Sequence, residues 1–161
     1  MSLLKWLNGI FSGGPYYVKI ARDCLSVENS STQSKFSDKP LVSISNSPKK
    51  EILGIGVNAP RQNATLINPF DHPRLLVHDF QVTEKLLQYA FRQVAKHHFF
   101  SPSPIAVVHV TEKLEGGLTT IEERVLREAA YGAGAREVHL WNGPELTKRQ
   151  LQDGSYKPKA I

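Results

Sequence analysis

One cysteine in 161 residues, Cys24, excludes an internal disulfide and every zinc site built from several thiolates, a composition suited to a reducing cytosol. Long apolar runs are missing too: nothing approaches the ~20 residues that a membrane-spanning helix needs. An acidic excess is absent, since 20 Lys and Arg stand against 15 Asp and Glu, giving a net charge of +5. That balance favours anionic partners such as lipid head groups or nucleic acid. Apolar residues at 40% and charged residues at 22% exclude wholesale disorder. The length leaves room for one modest core.

Turn residues divide the chain. Gly13, Gly14 and Pro15 separate the first dozen residues from short apolar runs at Tyr16–Ile20, Cys24–Glu28 and Leu41–Ser45, which read as strands of a meander. Residues 29–40 read as a polar loop, and 46–74 as loop with irregular strand around Ile52–Val57. Asp79 predicts a cap for a helix running to about His98, with Leu86, Ala90 and Val94 on one stripe and Leu87 and Phe91 beside it. Ser-Pro-Ser-Pro at 101–104 stops that helix and leads into IAVVHV, a run typical of a strand buried on both faces. Thr119 and Thr120 each precede a glutamate by three residues, the capping-box pattern. The helix that follows is expected to bury Ile121, Val125, Leu126 and Ala129. Glu137–Trp141 reads as a last strand. Strands first, then helix, strand, helix, strand, predicts an α/β fold with a mixed sheet flanked by helices.

From Asp79 onward the wording becomes specific. HDFQVTEKLLQYAFRQV, SPSPIAVVHV and IEERVLREAAYGAGAREVHLW resemble the N-terminal half of MreB, the bacterial actin-like rod shape-determining family. GIGVNAPRQNATLINPFDHPRLLVHDF follows the same family more loosely, and YYVKIARDCLSVE sits where its first hairpin belongs. The resemblance implies a single actin-like, ribonuclease-H-like lobe over residues 15–144, preceded by an amphipathic helix and linker at 1–14 and followed by a basic tail at 145–161. It also implies a role in bacterial cell shape, on a membrane-bound cytoplasmic ATPase that polymerises.

The expected chemistry is not spelled out in the residues. Actin-like phosphate sites need a tight glycine turn after the first strand, with an aspartate to organise Mg²⁺ and a hydroxyl beside it. MreB-like proteins write that turn Asp-Leu-Gly-Thr; the aligned residues here are Lys19, Ile20, Ala21 and Arg22. Lys19 brings a positive charge where a carboxylate belongs, and Ala21 adds a β-carbon where glycine's freedom is used. Arg22 keeps the capacity to neutralise a phosphate. Two family acids before a proline are replaced by Asn142 and Gly143, ahead of Pro144. The second lobe's share of the nucleotide pocket has no counterpart. We therefore expect no catalytic residues, no resident cofactor and no hydrolysis. The alternatives are an ATP- and Mg²⁺-binding actin-like ATPase that completes its site with another chain, or a soluble interaction module.

At 100° per residue, Leu3, Leu4, Trp6, Leu7, Ile10 and Phe11 share one arc of about 160°. With Lys5 opposite, they predict a helix lying in the bilayer interface, and so a protein peripheral to the inner face of the cytoplasmic membrane. The expected partners are an anionic membrane surface and an MreB-like filament or another cell-envelope protein. Lys148, Arg149, Lys157 and Lys159 make the tail basic, and it reads as solvated. Aromatic and basic residues do not interleave, so nucleic acid is not an expected partner. The six histidines show no metal-ligand spacing.

Overall fold

The computed structural model describes residues 13–95, 102–112 and 115–158. The six apolar residues of the expected N-terminal helix, Leu3 to Phe11, lie outside the described residues, as do 96–98 of the expected long helix.

Five strands form the main sheet: β1 (Tyr16–Ile20), β2 (Leu25–Asn29), β3 (Lys35–Asp38), β7 (Ile105–Val110) and β8 (Glu137–Trp141), in the order β3-β2-β1-β7-β8. β1 runs antiparallel to β2, which runs antiparallel to β3, whereas β1, β7 and β8 are mutually parallel neighbours. The mixed sheet expected from element order is thus present. β3 falls inside the segment read as a polar loop. Its sequence, KFSD, carries only Phe36 as an apolar residue, so edge pairing rather than hydrophobic patterning makes the strand.

A second, three-stranded antiparallel sheet comes from β4 (Val42–Ser45), β5 (Ile52–Ile55) and β6 (Ala64–Ile67), in the order β5-β4-β6. β6 also lies in a stretch read as loop. Its ATLI offers one short apolar pair among Asn and Pro residues, too little for periodicity to register.

Two helices cover one face of the main sheet. α1 (Phe80–Ala95) begins where Asp79 accepts the Val82 amide at 2.9 Å, and it buries Leu86, Leu87, Ala90, Phe91 and Val94 as expected. α2 (Thr120–Gly132) is capped by Thr119 and Glu122, each bonded to the other's backbone. α1 packs over β2 and β3, α2 over β8, and the two helices touch. Val18, Ile20, Leu25, Val27, Leu86, Val108 and Leu126 are the centre of this core. Ile121 departs from expectation: it sits in the first turn of α2 and is 75% exposed, because the buried stripe of that helix runs through Leu126, Ala129 and Ala130.

The opposite face of the sheet is covered by the segment read as a solvated tail. After Pro144 the chain folds back, forms α3 (Lys148–Asp153) with its own capping box at Thr147 and Gln150, and buries Leu146, Leu151 and Tyr156. These pack on Tyr17 and Val107, with Ile105 and Trp141 beside them. The basic side chains hid three apolar anchors spaced too irregularly for the sequence pattern to expose.

Candidate functional site

The residues aligned with the phosphate turn lie at the carboxyl end of β1, beside the ends of β7 and β8. Alternation along β1 sends Val18 and Ile20 to the helix-covered core and Tyr17 and Lys19 to the other face. Lys19 pairs in register with His109 of β7, and His109 with Trp141 of β8, so three parallel strand ends meet there.

Lys19 does not project freely into this end of the fold. Its ammonium lies 2.5 Å from a carboxylate oxygen of Glu145 and 5.8 Å from the centre of the Tyr17 ring. The hydrogen bond to Glu145 raises the Lys19 pKa, and the same bond lowers that of Glu145. Beneath them, the Tyr17 hydroxyl stands 2.6 Å from His109 Nδ1 and accepts the Leu146 amide at 3.1 Å. The hydroxyl donates to Nδ1 in the tautomer that leaves Nδ1 unprotonated, while still accepting the Leu146 amide. Burial pushes the Tyr17 pKa up and the His109 pKa down.

The turn after β1 is closed by one bond of its own and by groups from distant parts of the chain. The Ala21 amide donates to Cys24 O at 2.9 Å, and the Arg22 amide donates to the Glu112 carboxylate at 2.9 Å. Asn68 Nδ2 donates to Arg22 O at 2.8 Å. The cavity bordered by Ala21, Arg22, Phe70 and Glu112 measures about 10 Å³, about the space of one water. The Ala21 and Arg22 amides are thus both satisfied within the protein. Asn142 is exposed, and Gly143 sits against Trp141, where a β-carbon would come within 2.5 Å of the indole. The Trp141 indole N–H in turn donates to Pro144 O at 2.7 Å.

Of the sequence-derived positions, the structure joins Lys19 to the segment just after Asn142 and Gly143, and sets Ala21 and Arg22 in the adjoining turn. Sequence reasoning missed Tyr17, His109, Glu112 and Glu145. The partners of these residues are separated by 90 or more positions, and no local pattern marks them. Two other histidines have carboxylate neighbours that spacing did not reveal: His78 with Asp71 at 3.2 Å and His139 with Glu137 at 2.6 Å. Among the described residues no group of three or more His, Cys, Asp or Glu could hold a metal ion.

Over 69 residues, 43% of its length, the chain is 46% identical to the cell shape-determining protein MreB of Pasteurella multocida, covering 18% of that protein. The match to the cell shape-determining protein MreB of Escherichia coli is also 46% over 69 residues, covering 19% of it. In three dimensions, 80% of the chain superposes on MreB5 of Spiroplasma citri, in a crystal structure bound to ADP, with a TM-score of 0.60 and 14% identity. The chain is MreB-like. The fold is the actin-like single lobe, a mixed sheet with flanking helices, and it spans 38% of the MreB5 chain. No family model matches the sequence. The MreB-like character therefore rests on the 69-residue identity and on the shared lobe, while the paired Lys19 and the folded segment after Pro144 are described for this chain alone.

Proposed function

We propose that this MreB-like chain works in bacterial cell-shape or envelope organisation without hydrolysing nucleotide. The observation that carries the reading is Lys19, which stands where the family's turn has an aspartate and is paired with Glu145. An ammonium tied to a carboxylate cannot organise Mg²⁺, which takes oxygen ligands. Glu112 on the Arg22 amide supports the same reading, because a carboxylate already satisfies a donor that a phosphate would use.

In this reading the chain acts by contact. It sits peripherally on the inner face of the cytoplasmic membrane through Leu3, Leu4, Trp6, Leu7, Ile10 and Phe11, and it engages an MreB-like filament through the lobe. Among the described residues no helix is long and apolar enough to cross a membrane. Titration calorimetry with Mg-ATP, on the chain alone and mixed with a full-length homologue, tests the nucleotide half: we expect no binding heat from the chain alone and none beyond the homologue's own in the mixture. Tight binding by the chain alone, or heat in the mixture beyond the homologue's own, would overturn the reading and favour an ATPase completed by a second chain, which the ADP in the MreB5 structure makes the competing account. Flotation with anionic liposomes tests the membrane half. The intact chain should float and a version lacking residues 1–12 should not.

A further inference from the structure

The segment after β8 is held to the sheet by a small set of polar bonds around one buried imidazole. His109 is only 6% exposed. On one side its Nδ1 lies 2.6 Å from the Tyr17 hydroxyl, which accepts the Leu146 amide; on another, the ring has a backbone hydrogen bond with Gly143 that favours its protonated form, against the larger effect of burial. Both backbone groups belong to the returning segment. Further along, Gln152 donates to Ser30 O at 3.1 Å, and Tyr156 stands edge-on to His139. The face beneath is apolar, made by Ile105, Val107 and Trp141.

We propose that Tyr17, His109 and the Leu146 amide form a proton-operated latch, and that protonating His109 releases residues 143–158 from the sheet face while the helix-covered core stays folded. In the imidazolium both ring nitrogens carry protons, so the Tyr17 hydroxyl faces two donors, Nδ1–H and the Leu146 N–H, and its own hydrogen loses Nδ1 as an acceptor. A buried donor without an acceptor destabilises its neighbourhood, and the relief is to let the segment move away.

The charges around the ring set the balance. Lys19 of β1 faces it and opposes protonation; Glu145 of the segment favours protonation but is committed to Lys19. One strand further, Glu28 of β2 acts on Lys19, and Lys35 acts on Glu145. On β8, His139 is tied to Glu137. Burial is the largest influence on His109 and keeps it neutral near neutrality. Release bares the apolar face of Ile105, Val107 and Trp141, so the latch would couple acidity to exposure of a sticky surface, independently of any nucleotide chemistry.

Amide hydrogen exchange on the full chain at about pH 7.5 and about pH 5.5, corrected for intrinsic rates, tests the latch. We expect residues 146–156 to lose protection by up to roughly tenfold at the lower pH, the ceiling for one imidazole, with Leu86–Val94 of α1 unchanged. His109→Gln, which offers a neutral amide acceptor to Tyr17, should keep the segment protected at both values. Tyr17→Phe should loosen the segment at both. Equal protection of the wild-type segment at the two values would overturn the proposal. So would a pH response that survives in His109→Gln, a Tyr17→Phe segment as protected as wild type, or simultaneous loss in α1, which is global unfolding.

Discussion

Lys19 and Glu145 are 126 positions apart in the chain, yet their side chains meet at 2.5 Å across the carboxyl end of the sheet. The pair joins the central strand to the segment that follows β8.

Because Glu145 is 67% exposed, the bond itself contributes little to stability. Lys19→Ala should cost at most ~1 kcal/mol, a Tm drop of no more than roughly 2–4 °C. Thermal melts at rising salt should shrink the difference further, as expected for a screened pair.

Two residues of one helix should behave oppositely. Leu126→Ala removes a fully buried side chain and should cost ~2–5 kcal/mol in denaturant titration. Ile121→Ala, one turn earlier, should change stability by less than ~0.5 kcal/mol. A large loss at Ile121 would contradict its placement on the exposed side of α2.

Thr119 closes the N-terminus of α2 by accepting the Glu122 amide. Thr119→Ala should cost ~1 kcal/mol, and Thr119→Ser should recover most of it.

Stability should fall on acidification in two windows. The folded-state pKa of His109 lies below its ordinary 6.5, so the unfolded chain binds more protons as pH drops through that value, and stability declines. Glu137 and Glu145 have folded pKa values below 4.5, through hydrogen bonds to His139 and Lys19. Their contribution is present above 4.5 and is lost as pH falls through the lower folded values. Urea midpoints measured across this range should therefore show two declines, and His109→Gln should remove only the first.

Gly143→Ala places a methyl group against the Trp141 indole. We expect a loss of ~1–3 kcal/mol from overpacking, accompanied by a change in Trp141 fluorescence.

The parts of the fold carried by strong periodicity were legible in the sequence. The α1 stripe, the IAVVHV strand and the capping box at Thr119 all announce themselves within a few residues. β3, β6 and α3 did not, for physical reasons. β3 exists because β2 offers it an edge, β6 because β4 does, and α3 because Leu146, Leu151 and Tyr156 find an uncovered sheet face. The site divides the same way. The altered turn at Lys19, Ala21 and Arg22 stands out against the family pattern. The pairing of Lys19 with Glu145 and of the Arg22 amide with Glu112 depends on tertiary proximity, which no local spacing encodes. Ile121 was misplaced because apolar periodicity alone does not say where a stripe ends.

The central position of β1 has a consequence for how the molecule comes into being. β1 and β2 can meet as a hairpin early, but the other neighbour of β1 is β7, and Tyr17 lies 92 positions from its His109 partner. Closing so long a loop is slow compared with local contacts. During synthesis the hairpin therefore waits with one hydrogen-bonding edge bare until α1 and β7 have emerged. Only afterwards can the stretch after β8 dock on the completed face, so the segment that covers this sheet face must wait for all five strands.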